Sequence, residues 1–304
     1  MIRFTALPPG SCLLPLLLCL WIVSPDLPAD GVQLPQADGS TLQLDRPASS
    51  LVTLSPHLAE LVFAAGAGHR LIATTEYSEF PPPAARIPRI GDAFRIDTER
   101  ILAAHPDLVL AWESGNPKAA VGQLRSLGLR VWSIEIRSPA EIASVLEAIG
   151  RAAGTPDSAS EAAARVRDRL GALEERYRDV PTVDYFFQID AVPLFTINGE
   201  HLISRGLALC GGRNVFASES SLAFQVSHES VILADPDALL APWLESQADP
   251  LAGWRSWPSL RAVENEALFL LDADRISRAT PRMLDALERA CERLDGLRNP
   301  RGGG

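Results

Sequence analysis

The sequence predicts an α/β protein made of two lobes joined by one long helix, and three observations support this prediction. Short apolar runs alternate with helical stretches between residues 51 and 135, which is typical of parallel sheets covered by helices on both faces. Between Pro139 and Arg178 no segment has strand character, and apolar residues recur there at helical spacing. Strand-like segments then resume, so we expect a second α/β lobe after the helix.

The first lobe is predicted at residues 49–137, after an N-terminal hairpin and linker at 30–48. The segment VQLPQADGSTLQL (32–44) alternates on both sides of Asp38-Gly39, which indicates a small hairpin. A helix over roughly 57–66 should end at Gly66. Four strands are predicted in LVTL (51–54), RLIATT (70–75), DLVLAW (107–112) and LRVWSIE (129–135).

A helical region is predicted at residues 138–180, with the long helix in SASEAAARVRDRLGALEERYRDV (158–180). Ser158 or Ser160 can cap its start, and Pro181 should stop it. About 21 residues at 1.5 Å each give a rod of roughly 30 Å, one domain diameter. The second lobe is predicted at 181–298, with a disordered tail at 299–304 and strands in VDYFFQI (183–189), PLFTI (193–197), DALLAP (237–242) and ALFLLDA (267–273).

Residues 1–29 are predicted to be a signal peptide that directs the protein to the periplasm. Arg3 supplies the basic start, and the apolar run CLLPLLLCLWIV (12–23) is short for a membrane span. Ala29 offers a cleavage position. A retained N-terminal anchor is the alternative interpretation. No second hydrophobic span follows, so we expect the mature protein to be soluble.

The charge pattern argues against a nucleic-acid partner. The formal net charge is −10, and Lys118 is the only lysine in the chain. No basic run of the kind that binds DNA or RNA is present.

The cysteines predict one disulfide bond. Of the four cysteines, Cys12 and Cys19 lie in the signal segment, which leaves Cys210 and Cys291. One remaining pair in an exported protein suggests a disulfide that ties the C-terminal helix to the segment around residue 210. Two free buried thiols are the alternative.

A weak internal repeat supports the two-lobe organisation. TERILAAHPDLVLAW (98–112) and HESVILADPDALLAPW (228–243) align at a constant offset of 130 residues. Any helix followed by Pro-Asp and a strand resembles this pattern, but the register holds throughout the segment and favours a duplicated lobe. The matching pairs are Glu99 and Glu229, Pro106 and Pro236, Asp107 and Asp237, and Ala111 and Ala241.

Motifs that would indicate an enzyme are missing from the sequence. It contains no glycine-rich phosphate loop before a helix, no nucleophile elbow and no HExxH, HxH or CxxC pattern. LCGGRN (209–214) follows a predicted helix and has the composition of its C-terminal cap. The five histidines are scattered singly, which argues against a metal site built from them.

Aromatic and charged residues follow several predicted strand ends, where ligands bind in open α/β sheets. Tyr77 lies in TTEYSEFPPP (74–83), whose three prolines stiffen the loop; capping of a nearby helix is its alternative role. Aromatic residues from both lobes with one acid and one arginine would suit a large, flat, partly apolar ligand. For each residue alone, core packing or a solvated charge is the simpler explanation. The candidates are Tyr77, Trp112, Phe195, Phe224, Asp274 and Arg278.

Six segments spread over residues 49–297 carry a family resemblance: LVTLSPHLAELVFAAGAG, EYSEFPPPA, IDTERILAAHPDLVLAWESGN, CGGRNVF, FQVSHESVILADPDALL and ISRATPRM. Together they resemble the metal-chelate solute-binding proteins of bacterial ABC uptake systems, and within them the corrinoid branch. The resemblance implies two Rossmann-like lobes joined by a rigid helix. It also implies a monomer that binds cobalamin or a related corrinoid as cargo, uses no catalytic cofactor and delivers to a permease dimer.

The resemblance further implies roles for individual residues. The family's loop tyrosine matches Tyr77, its strand-end tryptophan Trp112 and its second-lobe phenylalanine Phe195. An acid and an arginine that contact corrin side chains match Asp274 and Arg278. The glutamates that dock on transporter arginines match Glu99 and Glu229, although a helix dipole alone also favours acids there, and the family disulfide matches Cys210 and Cys291.

Two departures concern the identity of the cargo. Corrinoid binders have tryptophans where this chain has Ala93 and Ala223, but Phe94 and Phe224 follow one position later and join the candidate ligand contacts. Haem, a ferric siderophore or another metal chelate is therefore the alternative cargo, and an exported enzyme that keeps the two-lobed fold is a third interpretation.

Overall fold

The computed structural model describes Met1 and residues 31–298, and it confirms a mixed α/β fold with a four-stranded sheet, a six-stranded sheet and a separate two-stranded hairpin. The predicted signal peptide, apart from Met1, and the predicted tail at 299–304 lie outside the described residues. Within the described part of the chain, no helix combines the length and apolar character that a membrane crossing requires.

The first lobe is a parallel four-stranded sheet preceded by the predicted hairpin. The hairpin pairs β1 (Val32–Pro35) with β2 (Thr41–Leu44) in antiparallel fashion. The sheet has the order β4-β3-β5-β6, and nearly every residue of these strands is buried, as expected for a sheet covered on both faces. Its elements are β3 (Leu51–Thr53), α1 (Pro56–Ala64), β4 (Leu71–Ala73), α2 (Thr98–Ala103), β5 (Leu108–Trp112), α3 (Lys118–Ser126) and β6 (Val131–Ile134).

The segment between the sheets contains two helices, α4 (Glu141–Ala153) and α5 (Pro156–Arg176). The predicted long helix is α5, with 21 residues, but its predicted ends are wrong. Ser158 and Ser160 lie inside the helix because Pro156, whose fixed φ suits a first turn, starts it earlier. The helix stops at Arg176, and a turn at 177–179 rather than Pro181 itself ends it.

The second lobe has a mixed sheet in the order β10-β8-β7-β11-β12, with β9 paired to the start of β7. Strands β7 and β8 are antiparallel because only two residues connect them, too few for a parallel crossover. The sequence did not predict the short strands β9 and β10. It did indicate a helix end in LCGGRN, and Gly211 there has a left-handed φ of 71°. The elements are β7 (Val183–Ala191), β8 (Leu194–Ile197), α6 (Leu202–Ala208), β9 (Gly212–Asn214), β10 (Ala223–Gln225), α7 (His228–Ala234), β11 (Ala238–Trp243), α8 (Arg261–Glu264), β12 (Leu268–Asp272), α9 (Ala273–Ile276) and α10 (Met283–Arg298).

The repeat seen in the sequence has equivalent backbone geometry in the two lobes. His105 after α2 and Asp235 after α7 are both left-handed, with φ of 46° and 43°, at the same offset of 130 residues. The carboxylate of Asp107 accepts hydrogen bonds from the backbone N–H groups that precede β3. Asp237 likewise accepts from the backbone of Asp184 in β7. These shared details support the predicted duplication.

The predicted disulfide is present. Cys210 follows α6, Cys291 lies in α10, and their Cα atoms are 5.5 Å apart. Both residues are fully buried. The bond therefore fixes the C-terminal helix to the core of the second lobe.

Candidate ligand-binding cleft

A cavity of about 340 Å³ lies between the two lobes, at the carboxyl ends of the strands. Its walls come from the segments after β3, β5 and β6 in the first lobe and after β8 and β12 in the second. This is the position at which open α/β sheets bind ligands. The lining residues are Pro56, His57, Trp112, Ser114, Glu135, Ile136, Arg137, Glu200, His201, Leu202, Leu222, Ser277, Arg278 and Ala279.

A second cavity of about 330 Å³ lies at the opposite edge of the first sheet. Its lining includes Asp45, Asp107 and Arg130. Asp107 already accepts backbone hydrogen bonds, and Arg130 pairs with Asp45. Because these charges have partners and the cavity touches only one lobe, the interlobe cleft is the better candidate site.

Two of the seven predicted ligand contacts, Trp112 and Arg278, line the cleft. Asp274 adjoins it, since its carboxylate accepts a 2.8 Å hydrogen bond from Arg278. Tyr77 and Phe94 lie outside the lining and are 69% and 71% exposed. Their contact with a ligand therefore stays a prediction.

Phe195 lies on β8 and Phe224 on the neighbouring edge strand β10, and both are half-buried. Phe224 contacts the edge of Phe216, with ring centres 6.1 Å apart, so part of its surface is used in packing. Neither phenylalanine lines the cavity, but Leu222, just before β10, does. Phe224 is thus two residues from a lining residue in the sequence. The contact of Phe195 and Phe224 with a ligand stays a prediction.

Trp112 is held in place by its own strand end. The side-chain oxygen of Asn116 accepts from the Trp112 backbone N–H at 2.7 Å. The same amide group donates to the carbonyl oxygen of Ala93, which fastens the loop that carries Phe94 next to Trp112. A Cβ atom on Gly115 would come within 1.9 Å of the Trp112 ring, so this turn requires glycine.

His57, which the sequence analysis did not select, contacts Trp112 edge-to-face at a ring distance of 5.2 Å. Its Nδ1 is 3.1 Å from the Ser55 hydroxyl. Burial, with a smaller contribution from the charge of Arg278, lowers the pKa of His57 to about 4. The imidazole is therefore neutral at pH 7.

We expect the low pKa of His57 to make the protein less stable in acid. In the unfolded chain a histidine has a pKa near 6.5. The contribution of His57 to the free energy of unfolding is therefore complete above pH 6.5 and is lost as the pH falls toward 4. Between pH 7 and 4.5, wild type should lose about 2–3 kcal/mol more unfolding free energy than His57→Gln. Urea denaturation at both pH values measures this, with His69→Gln as the exposed-histidine control. Equal losses in wild type and His57→Gln would contradict it.

His201 presents a second neutral imidazole, from the other lobe. Its Nδ1 accepts from the Ile203 backbone N–H at 3.2 Å, and burial lowers the pKa of the ring. Because Nδ1 is an acceptor, the neutral ring carries its proton on Nε2 and can donate it. His57 and His201 therefore add polar, uncharged groups to opposite walls of the cleft.

The charge of Arg278 is compensated by two carboxylates. Its Nη1 donates to Glu60 and its Nη2 to Asp274, each at 2.8 Å. The other charged lining residues are Arg137, Glu135 and Glu200; Glu135 accepts from the Ser114 backbone, and Glu200 pairs with Arg205. The cleft thus has no excess of positive charge.

The sequence analysis missed several polar residues of the cleft, chiefly His57, Glu135, Glu200 and His201. They follow strands β3, β6 and β8, so the strand-end rule that selected Trp112 could have found them. Across the described residues, no group of three or more His, Cys, Asp or Glu side chains is arranged to hold a metal ion.

The predicted docking residues Glu99 and Glu229 lie in the first turns of α2 and α7 and are exposed. Asp97 and Ser227 cap these helices by accepting from backbone N–H groups three residues later. Hydrogen bonds from its own backbone N–H and from Ser227 lower the pKa of Glu229. Each lobe therefore presents one glutamate at an equivalent surface position.

Comparison with known proteins places these features in context. A family described as periplasmic binding protein matches residues 51–275. The vitamin B12-binding protein of Vibrio cholerae is 36% identical over 249 residues, which are 82% of this chain and 90% of that protein. Its counterpart in Vibrio parahaemolyticus is 32% identical and covers 88% of this chain and 97% of its own length.

Solved structures agree with the sequence comparison. The periplasmic vitamin B12 binding protein BtuF of Vibrio cholerae superposes with a TM-score of 0.77 and 35% identity, over 83% of this chain and 98% of that one. The periplasmic heme-binding protein RhuT from Roseiflexus sp. RS-1 has a TM-score of 0.71 at 22% identity, over 82% of this chain and 99% of its own. At that identity the second likeness shows a shared fold.

Proposed function

The chain belongs to the periplasmic binding protein family, and from this premise we propose that it captures cobalamin or a closely related corrinoid between its lobes. It would work in the periplasm as a monomer without catalytic activity and pass its cargo to an inner-membrane ABC transporter. The observation that carries the proposal is the interlobe cleft, which is lined by both Trp112 and an arginine whose charge is compensated. The vitamin B12-binding relatives support this cargo.

The cleft suits a large ligand with neutral polar edges. Arg278 uses two of its five N–H donors on carboxylates, which leaves three for acceptors such as the amide oxygens of corrin side chains. The neutral His201 adds a donor from the same lobe. Trp112 supplies apolar surface inside the cleft, and we propose that the exposed rings of Tyr77 and Phe94 add to it when the ligand binds.

Haem and ferric siderophores are the alternative cargoes within the same fold. Their carboxylates or other anionic groups call for arginines with uncompensated charge. Arg278 is already bound to Glu60 and Asp274, and the other charged lining residues, Arg137, Glu135 and Glu200, add no net positive charge to the walls. The electrostatics of the cleft therefore favour a corrinoid over an anionic chelate.

Ligand retention tests the proposal directly. Purified protein is incubated in parallel with cobalamin, cobinamide, haem and a ferric siderophore, then desalted, and its visible spectrum is recorded. We expect a stoichiometric corrinoid spectrum and no retained haem or siderophore. Retention of haem or siderophore without corrinoid would replace the proposed cargo, and turnover of a corrinoid into a new product would indicate an enzyme.

Tyr77→Ala should weaken corrinoid binding by at least about 1 kcal/mol, because an aromatic face in contact with the ligand contributes that much. Tyr77 has a positive φ of 63° and an exposed ring, a combination that is unusual unless the loop has a functional role. Isothermal titration calorimetry measures the change. Leu127→Ala, which removes an exposed apolar side chain beside α3, is the control. An unchanged dissociation constant for Tyr77→Ala would remove the residue from the site.

A further inference from the structure

We propose that Glu60 is a positioning residue for ligand binding, because this one buried carboxylate holds two arginines of the opposite lobe. Glu60 lies in α1 of the first lobe, and Arg278 and Arg282 lie between α9 and α10 of the second. The residues are 218 and 222 positions apart in sequence. The inference rests on the proposed function and adds a residue that does not itself line the cleft.

The contacts of Glu60 account for both of its oxygens. Oε1 accepts from Nη1 of Arg278 at 2.8 Å and from Nη2 of Arg282 at 2.8 Å. Oε2 accepts from Nε of Arg282 at 3.0 Å, which completes a two-bond fork. The residue is only 3% exposed, so water contributes little to its solvation. We call Glu60, Arg278 and Arg282 the interlobe clamp.

The interlobe clamp also reaches the loop that carries Tyr77. The guanidinium carbon of Arg282 lies 3.8 Å from the centre of the Phe80 ring, well within cation–π range. Phe80 is three residues after Tyr77 in the same proline-rich loop. A single carboxylate thus determines the position of a cleft arginine, Arg278, and supports the arginine that packs on the Tyr77 loop.

Loss of the Glu60 charge should release both arms of the clamp. In Glu60→Gln one amide oxygen remains, while the new NH₂ group faces guanidinium groups that cannot accept its hydrogens. Removing one partner of a buried pair leaves the other charges without compensation. Arg278 would keep Asp274, whose side chain is half-exposed, and would no longer be fixed from the first lobe.

A double-mutant cycle on ligand binding tests the positioning role. We expect Glu60→Gln to lower corrinoid affinity at least tenfold, and Arg278→Gln to lower it by a similar factor. Because Glu60 acts through Arg278, the corrinoid affinity of the double variant should equal that of the single variant with the lower affinity. Glu147→Gln, which breaks an exposed ion pair with Arg167, is the control and should bind normally. Full affinity in Glu60→Gln, or fully additive losses, would overturn the proposal.

Hydrogen exchange of the ligand-free protein tests the clamp without any cargo. In Glu60→Gln and Arg282→Gln, the hydrogen-bonded backbone amides of Glu76 and Ala84, on either side of Phe80, should exchange at least tenfold faster, while those of α4 keep the wild-type rate. Should Glu60→Gln fail to fold, Arg282→Gln provides the same readout. Unchanged exchange of the Glu76 and Ala84 amides in Arg282→Gln would overturn the clamp. If the wild-type protein binds no corrinoid while the variants still exchange faster than wild type, the proposed function is refuted and the clamp is not.

Discussion

Replacing both disulfide cysteines, Cys210→Ala with Cys291→Ala, is expected to lower the free energy of unfolding by about 4.5 kcal/mol on the chain-entropy relation. The bond closes a chain segment with a sequence separation of 81 residues, which is why the expected effect is large. Alanine is preferred to serine because both positions are fully buried, where a hydroxyl would add its own desolvation cost.

Urea denaturation at pH 7 measures the disulfide contribution. Wild type treated with a reductant should fall close to the stability of the double variant, and the reductant should leave the double variant unchanged. This second comparison is the control, because it separates loss of the bond from other effects of the reductant. Identical unfolding midpoints for oxidised wild type and the double variant would contradict the expectation.

Reversing both lobe-surface glutamates, Glu99→Arg with Glu229→Arg, should reduce cellular uptake of the corrinoid at least tenfold and leave its binding affinity unchanged. One acid on each lobe, at equivalent helix starts, suits a transporter made of two like subunits, each with an arginine facing one lobe. Neither glutamate lines the cleft. The proposed docking role therefore separates transport from capture.

The helix dipole provides the competing explanation for these glutamates. It predicts a loss of at most about 1 kcal/mol of stability per residue and no effect on transport. Uptake is compared in cells at matched expression, with calorimetry on the purified variant. The control Glu161→Arg with Glu174→Arg makes the same charge change on exposed positions of α5. Normal uptake by the Glu99 and Glu229 double variant would leave the helix dipole as the sufficient explanation.

Local patterns in the sequence were sufficient for much of the fold. Alternating apolar runs predicted the strands of the first lobe, and helical spacing predicted α5, because burial periodicity is a property of neighbouring residues. The parity of the cysteines predicted the bond between Cys210 and Cys291. The ends of α5 were predicted less well, because the expected serine caps were preferred to Pro156, whose fixed φ suits the first turn, and because the helix stops before Pro181.

Much of the candidate cleft was decided by the tertiary structure. Glu60 has the spacing of an ordinary helix residue, and nothing near it in sequence indicates that Arg278 and Arg282 bind it from more than 200 positions away. The same holds for His57 and His201, which line one cavity from two lobes. Sequence patterns report which face of a single element is buried, and strand ends indicated Trp112 and Arg278 in this way. Which charges and rings meet between the lobes depends on how the two sheets are placed in space. The periodicity of the sequence does not contain this information, because it reflects only residues that are close together along the chain.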